Sequence, residues 1–111
     1  MKRKYKNVVI FTSESARYKG KPLCQAIINY MKDLKIHART FVSKGIAGSY
    51  ENGEIAHHAI EIISVNMPLR IEIILPSAEL DGILEQLKKI VQDGVISVNE
   101  INIVSYKTKT L

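Results

Sequence analysis

One order of elements, strand then helix then strand, occurs twice in this chain, on either side of a long polar segment. In the first copy, residues 7–13 contain the apolar run Val8-Val9-Ile10-Phe11, largely β-branched or aromatic, which predicts a central strand buried on both faces. A helix is predicted from Pro22 to Lys35, because proline suits a first helical turn and apolar residues recur at helical spacing. A second strand is predicted over residues 37–44, ended by Gly45. The helix should bury Leu23, Ala26, Ile27, Tyr30, Met31 and Leu34.

The second copy has a clearer strand pattern. Residues 69–75 alternate apolar and polar side chains, with Leu69, Ile71, Ile73 and Leu75 on one face. Residues 59–66 alternate only weakly, and Pro68 is expected to interrupt them. A second helix is predicted to begin at an N-cap, Ser77, and to stop at Gly94. A last strand is expected over residues 95–106, bent near residues 99 and 100. The second helix should bury Leu80, Ile83, Leu84, Leu87, Ile90 and Val91.

The segment between the two copies, residues 46–58, has no steady hydrophobic period. It contains Gly48 and Gly53 and few apolar side chains. We expect a long loop that is mobile without a ligand or partner, because burial within it cannot offset the entropy of ordering its backbone. Loops of this length in compact domains usually have a function.

Two interleaved strand–helix–strand units form a split βαβ, ferredoxin-like sandwich. We therefore predict an α+β fold with a four-stranded antiparallel sheet and two helices on one face. The other face would present residues such as Val9 or Ile10, and an oligomer is the simplest way to cover it. With 111 residues, one domain over residues 1–111 is expected, in which residues 1–6 form a basic N-terminal extension.

Composition points to a cytoplasmic protein. A single cysteine, Cys24, cannot form an internal disulfide, which suits a reducing compartment. No apolar run approaches the roughly 20 residues of a membrane-spanning helix. The apolar run after the basic start ends at Phe11, which is too short for a typical secretory signal. We expect no membrane insertion.

Charge is unevenly distributed along the chain. Residues 1–45 carry 11 basic and 2 acidic side chains (+9), and residues 46–111 carry 5 basic and 9 acidic ones (−4). A basic first half favours a polyanionic partner: nucleic acid, nucleotide phosphates or an acidic protein. A solvated surface explains the same charge equally well. The chain has no tryptophan and only two phenylalanines, so stacking platforms for nucleic acid are scarce.

No catalytic constellation is apparent, and no metal site is predicted. His57 and His58 lie in the central loop without cysteines or a second histidine pair at ligand spacing. The Gly20-Lys21-Pro22 segment is not a Walker motif, because the required earlier glycine is missing and proline follows the lysine. The turn from Gly45 to Gly48 is a G-x-x-G pattern, which by itself serves a tight turn as readily as a phosphate.

Five short motifs in order, however, resemble the uncharacterised branch of PII-like signalling proteins, relatives of the nitrogen-regulatory PII proteins. The resemblance covers about residues 7–107. The motifs are Glu14; Gly20-Lys21-Pro22-Leu23; Lys44-Gly45-Ile46-Ala47-Gly48; Asn66-Met67-Pro68; and Asp93-Gly94-Val95-Ile96-Ser97-Val98.

This resemblance implies a non-enzymatic homotrimer that binds an adenine nucleotide (AMP, ADP, ATP or cyclic AMP) in clefts between subunits, with no required cofactor. Residues 46–58 would be its T-loop, which controls a target protein such as a membrane transporter. Specific nucleic-acid binding is not expected. The residues that the resemblance assigns to the nucleotide are Arg39, Lys44, Gly45, Gly48, Arg70, Asp93, Gly94 and Lys107.

The chain departs from the classical PII pattern where phosphates are neutralised. Classical members have a lysine soon after the Asp-Gly pair and two arginines in the last strand, whereas here Val95 follows Gly94 and Lys107 lies near the chain end. Phosphate neutralisation must therefore differ. Two other functions fit the residues: a nucleic-acid-binding ferredoxin-like domain, favoured by the basic first half, and a small trimeric metal-binding protein, favoured only by His57 and His58.

Overall fold

The computed structural model describes residues 4–57 and 66–109. Four longer strands form the main sheet, and two helices and two short hairpins complete the described part. In chain order the elements are β1 (Tyr5–Ser13), β2 (Arg17–Tyr18), β3 (Lys21–Pro22), α1 (Leu23–Leu34), β4 (Arg39–Lys44), β5 (Ala47–Ser49), β6 (Ile55–His57), β7 (Pro68–Pro76), a 3₁₀ turn (Ser77–Glu79), α2 (Leu80–Ile90) and β8 (Val95–Ile101).

The main sheet has the strand order β4-β7-β1-β8, and every neighbouring pair is antiparallel. Strand β1 therefore lies between β7 from the second half of the chain and β8 from its end. This is the ferredoxin-like arrangement expected from two interleaved strand–helix–strand units, so the predicted fold class is confirmed.

Strand register separates the two faces of the sheet. Val8 and Ile10 belong to the buried cluster that the helices cover. Val9 points to the opposite face, where it lies between Glu72 of β7 and Ser97 of β8. The prediction that Val9 is on the uncovered face is confirmed, whereas the same prediction for Ile10 is wrong, because alternate residues of a strand point to opposite sides. We call the uncovered side the outer face; its exposed apolar side chains are Phe11, Phe41 and Val95.

Both helices bury one stripe against the sheet. The fully buried positions are Leu23, Ile27 and Met31 in α1 and Ile83, Leu87 and Ile90 in α2. Other predicted stripe residues pack at the edge of this core and are partly buried: Ala26, Tyr30, Leu80, Leu84 and Val91. Leu34 is exposed, contrary to the prediction, because it is the last residue of its helix.

The helix boundaries differ from the prediction at all four ends. Helix α1 ends at Leu34, one residue before the predicted Lys35, which is its C-cap residue. Pro22 is the N-cap residue of α1 and has extended backbone angles, so the helix begins one residue later, at Leu23. Ser77 does not cap α2; it begins the 3₁₀ turn, and its backbone N–H donates to the carbonyl of Lys4. Helix α2 ends at Ile90, four residues before Gly94.

The central segment is not a structureless loop where the structure describes it. Strands β5 and β6 pair as a hairpin in which Gly48 lies opposite Ala56, and Ala56 is completely buried. Its turn is closed by the Tyr50 N–H, which donates to the Glu54 carbonyl, and by Gly53, whose positive φ of 88° suits glycine. The loop prediction is thus wrong for residues 47–49 and 55–57, which are strands, whereas residues 50–54 form the turn between them. His58 and the weakly alternating residues 59–65 lie outside the described residues.

Two further strand predictions are corrected. Strand β7 begins at Pro68, one residue before the predicted start at Leu69, and ends at Pro76, because a proline at the first position of a strand disturbs little of the ladder. Strand β8 ends at Ile101 and is regular through residues 99 and 100, without the predicted bend. It stops there because its partner β1 begins at Tyr5, opposite Ile101, so no further partner residue is available.

Replacing Gly94 by alanine should destabilise the fold. A Cβ at Gly94 would lie 2.7 Å from the carbonyl oxygen of Phe11, a backbone atom in the central strand that cannot move freely. We expect a loss of about 1–3 kcal/mol in the free energy of unfolding, as for other overpacked sites.

The matched control is Gly82→Ala in α2, where an added Cβ meets nothing within 4 Å. Alanine is the better helix former, so this variant should gain up to about 1 kcal/mol. Urea unfolding of both variants at one protein concentration makes the comparison. Equal stability of Gly94→Ala and wild type would contradict the close approach of Gly94 to the backbone of β1.

Candidate functional site

The sequence motifs meet at one end of the main sheet. Ser13, the last residue of β1, lies opposite Pro68, the first residue of β7. Lys44, at the end of β4, lies opposite Leu69 in β7. Strand β8 begins at the same end, where Val95 pairs with Phe11. Antiparallel pairing therefore gathers segments that are distant in the chain.

Glu14 bonds two other segments of the chain at this end of the sheet. Its backbone N–H donates to the Met67 carbonyl at 2.9 Å, and its Oε1 accepts from the Met67 N–H at 3.3 Å. Its Oε2 lies 3.4 Å from Nζ of Lys44. One carboxylate thus joins the end of β1 to the segment before β7 and to the end of β4. This explains why an acidic residue directly after the first strand suits the fold.

Gly45 and Gly48 both pack against the Pro68 ring. The Gly45 N–H donates to the Pro68 carbonyl at 2.8 Å. A Cβ at Gly45 would lie 2.9 Å from Pro68 Cγ, and one at Gly48 would lie 3.1 Å from the same atom. The G-x-x-G spacing therefore allows the chain to turn closely around a proline from another segment, and this packing alone accounts for both glycines.

A cleft of about 330 Å³ opens beside this turn. Asp93 borders it from the α2–β8 connection, Asn66 from the segment before β7, and Tyr50 from the hairpin. The carbonyl of Asp93 accepts a 2.7 Å hydrogen bond from the Thr12 hydroxyl, which fixes the connection against β1. The remaining lining residues are Ser13, Glu51, Asn52 and Glu54.

Tyr50 joins the hairpin to this cleft, although the sequence analysis did not assign it to the site. Its hydroxyl donates to the Asn66 carbonyl at 2.6 Å. Burial raises the pKa of this phenol, and the nearby carboxylates of Glu54, Glu14 and Asp93 raise it further. The phenol is therefore protonated at neutral pH and keeps its donor. In the sequence, Tyr50 stands two residues after the last glycine of the G-x-x-G turn, and this position was the signal that could have assigned it to the site.

The cleft is bordered by carboxylates, and most of the predicted cations lie elsewhere in the chain. Lys44 is close, beside Glu14. Arg70 is on the outer face, where it bonds Glu72 at 3.0 Å and lies over the Phe11 ring at 5.5 Å. The hydrogen bond from Arg70, with a second from Asn7, holds the pKa of the Glu72 carboxyl below its usual range.

The other two predicted cations are at the opposite end of the sheet. Arg39 begins β4, five residues before Lys44, which corresponds to about 17 Å along an extended strand. Lys107 lies in the C-terminal tail, beside Tyr5 and His37. The geometry of one chain brings together Lys44, Gly45, Gly48, Asp93 and Gly94, and it does not bring Arg39, Arg70 or Lys107 to them.

Neither a metal centre nor a membrane span was found in the described part of the chain. Residues 4–57 and 66–109 contain no group of three or more histidine, cysteine or carboxylate side chains arranged to hold a metal ion. His57 is exposed, and its neighbour in the sequence, His58, is outside the described residues. Within the same ranges, both helices are too short or too polar to cross a bilayer.

Comparison with solved structures shows the fold. The chain is similar to CPII, a nitrogen regulatory PII-like protein from Thiomonas intermedia K12 whose structure contains bound ADP, AMP and bicarbonate. The similarity has a TM-score of 0.65 and covers 90% of this chain and 88% of that one, at 12% sequence identity. The sheet and helices are therefore those of the PII-like fold.

Comparison with known sequences shows the family. The chain is 28% identical over 101 residues to a UPF0166 protein of Aquifex aeolicus (strain VF5), an alignment that covers 91% of this chain and 94% of that protein. Residues 5–103 match DUF190, a family described as "Uncharacterized ACR". The resemblance to an uncharacterised PII-like branch is confirmed: this chain belongs to the DUF190 family and has a PII-like fold.

Proposed function

We propose that this chain is a PII-like signal-transduction regulator that binds an adenine nucleotide at the cleft beside Gly48 and Asp93. The observation that carries the proposal is the convergence of Glu14, the Gly45–Gly48 turn, Asn66 and Asp93 at one end of a PII-like sheet. CPII, which has this fold, binds ADP and AMP. The protein would regulate another protein and catalyse no reaction.

The cleft of one chain forms only part of such a site. Its volume of about 330 Å³ is at the small end of ligand pockets in proteins. A second subunit would supply the other wall, as the PII-like resemblance implies for clefts between subunits. Arg39, Arg70 and Lys107 are distant from the cleft of their own chain, so we propose that any of them that binds phosphate does so in the cleft of a neighbouring subunit.

The charge of the cleft favours a ligand with few phosphates. Glu51, Glu54 and Asp93 border it, and the nearby ammonium of Lys44 is already paired with Glu14. These carboxylates repel a negatively charged ligand, and each additional phosphate adds negative charge to it. We therefore propose AMP or ADP as the effector in preference to ATP. No cofactor is required by this role.

The outer face of the sheet is the proposed trimer contact. Phe41 is 62% exposed, Val95 51% and Phe11 45%, and all three are on the same face by strand register. Exposed apolar side chains that share one surface favour association. Three copies that bury this face would also bring the cleft of one subunit close to residues of the next.

The hairpin is the proposed contact with a target protein. Ile46 at its base is 81% exposed, and Ile55 beside its turn is 71% exposed. The hairpin is joined to the cleft through the bond between Tyr50 and Asn66, so a ligand there can favour one hairpin arrangement by binding it more tightly than the others. We propose that residues 46–58 act in this way on a target such as a membrane transporter.

We further propose that residues 1–111 form one cytoplasmic domain.

The first prediction concerns assembly. Light scattering during size exclusion should give three times the chain mass of 12.5 kDa for the wild type. Phe41→Asp should reduce this mass, because it places a charge in the proposed contact. Leu34→Asp is the matched control: Leu34 is exposed at the end of α1, on the helix side of the sheet and so opposite the outer face. A monomeric wild type at micromolar concentration, or equal masses for both variants, would argue against this contact.

The second prediction concerns the glycine turn. Gly48→Val should weaken binding of AMP and ADP by about tenfold or more, because a side chain at Gly48 must push away the Pro68 ring, two residues from Asn66, which lines the cleft. Ala47→Val is the matched control, since Ala47 is exposed in the same strand and valine suits strands. Isothermal titration with AMP, ADP, ATP and cyclic AMP measures both.

Both variants should remain trimeric, because the turn is separate from the outer face. Affinities that are equal for Gly48→Val and wild type would remove Gly48 from the site. The absence of binding heat or competition with any of the four nucleotides would remove the nucleotide itself from the proposal.

The third prediction concerns the carboxylates. Glu54→Gln should strengthen ATP binding by roughly threefold and AMP binding by less, because it removes one repulsive charge near the phosphates. Glu79→Gln, an exposed carboxylate in the 3₁₀ turn outside the cleft, should change neither affinity. Titrations in magnesium-free buffer make the comparison. An unchanged ratio of ATP to AMP affinity in Glu54→Gln would place the phosphates away from this side chain.

A further inference from the structure

A second concave site lies at the other end of the main sheet, away from the cleft beside Gly48. It is an open groove of about 1470 Å³. Residues from the start of β1, the segment before β4, the 3₁₀ turn, the end of β8 and the C-terminal tail line it. We call it the tail groove. Its defining side chains are Lys4, Tyr5, His37, Ser77, Tyr106 and Lys107.

Three polar atoms in the tail groove are buried without a hydrogen-bond partner. They are the Tyr5 hydroxyl, Nδ1 of His37 and Oγ of Ser77, and none of them bonds any residue that the structure describes. Tyr5 as a whole is 96% buried, since only 4% of its surface is exposed. Buried polar atoms without partners are rare, because each has lost its hydrogen bonds to water without replacement. Three in one groove indicate a missing acceptor or donor.

The backbone holds these three side chains in place. The Ser77 N–H donates to the carbonyl of Lys4, which fixes the 3₁₀ turn against the start of β1. Tyr106 of the tail stacks on the Tyr5 ring with centroids 5.3 Å apart, and it meets the His37 ring edge-on at 6.0 Å. The hydroxyl of Tyr5 is thus positioned by strand pairing on one side and by ring stacking on the other.

The groove is also cationic. Lys4, Lys6 and Lys107 line it, and the facing carboxylate is Glu100, which bonds Lys6 at 2.8 Å. Lys4 and Lys107 have no ion pair with residues 4–57 or 66–109. Two hydroxyl donors, an imidazole nitrogen and two available ammonium groups form a set that suits an oxyanion.

We propose that the tail groove binds a phosphate or carboxylate group. Its oxygens accept hydrogen bonds from the Tyr5 and Ser77 hydroxyls and from an N–H at Nδ1 of His37, while Lys4 and Lys107 neutralise its charge. The groove is larger than a free anion, so it also accommodates a molecule that carries the group. Within one chain this site is separate from the proposed nucleotide cleft, because the two lie at opposite ends of β1. A Lys107 that binds the anion here does not also bind phosphate in the cleft of a neighbouring subunit.

The C-terminal tail must move for the ligand to enter. The three unpartnered atoms are shielded from water in the present arrangement, and Tyr106 of the tail lies against the rings of Tyr5 and His37. Residues 102–109 form no helix or strand, and the Tyr106 ring is their aromatic contact with the sheet. Binding would therefore displace Tyr106 from Tyr5, which couples occupancy of the groove to the position of the tail.

Chemical-shift titration of the full chain tests this inference, with inorganic phosphate, methyl phosphate, bicarbonate and acetate added at constant ionic strength. We expect saturable shifts at Tyr5, Ser77 and Tyr106 with at least one of these anions. Tyr5→Phe and Ser77→Ala should each weaken that binding by about tenfold, the effect of losing one hydrogen bond to a charged acceptor. Saturation by methyl phosphate alone would assign the site to an ester, and saturation by a free anion alone would assign it to that ion.

Matched controls remove the same groups outside the groove: Tyr30→Phe in α1 and Ser43→Ala in β4 should leave binding unchanged. The absence of saturation with all four anions would overturn the proposal and leave ordered water as the partner of these atoms. Equal weakening in the groove variants and the controls, or the same shifts with sodium chloride, would also overturn it. A failure of nucleotide binding in the Gly48 experiment would not affect this result.

Discussion

The antiparallel pairing of β1 with both β7 and β8 is the constraint on which the rest of the structure depends. It places one continuous strand at the centre of the sheet, with Val8 and Ile10 towards the helices and Val9 towards the outer face. The same pairing brings the end of β1 beside the start of β7 and the start of β8. The cleft with Asp93 and the tail groove with Tyr5 are consequences of that register, one at each end of the strand.

The pairing also explains why the uneven charge of the sequence does not divide the protein into a basic and an acidic half. Strands from the basic first half lie beside strands from the acidic second half, so opposite charges meet across the sheet. Lys6 of β1 bonds Glu100 of β8, for example. The +9 charge of residues 1–45 therefore gives little support to a nucleic-acid surface, because the fold distributes it.

The fold class could be predicted because the buried stripes of both helices and the alternation of residues 69–75 are strong local signals. The hairpin could not, because Gly48 and Ala56 show no period of their own and their pairing depends on tertiary packing against Pro68. The cap assignment at Ser77 failed for a similar reason: its backbone bonds Lys4, a partner more than seventy residues away.

The candidate site was predictable only in part. The glycines and Asp93 were found through the order of motifs, and the structure brings them to one end of the sheet. Tyr50 was missed, because its role depends on the Asn66 carbonyl and on carboxylates from three segments. Arg39 and Lys107 were also assigned to the site. A linear sequence does not show that Arg39, at the start of β4, and Lys107, in the tail after β8, lie at the opposite end of the sheet.

The contact of Gly45 and Gly48 with Pro68 has a consequence for how this surface can diversify. The direction in which the hairpin leaves the sheet depends on a rigid ring and two residues without side chains, so it does not depend on the residues at the hairpin tip. Residues 51–54 are exposed and form the turn. Substitutions at Glu51, Asn52 and Glu54 would alter both the tip and the cleft that these residues line, while the orientation of the hairpin and the positive φ of Gly53 are retained. The packing at the base of the hairpin thus keeps its orientation constant, so that residues 51, 52 and 54 can vary without a change in the main sheet.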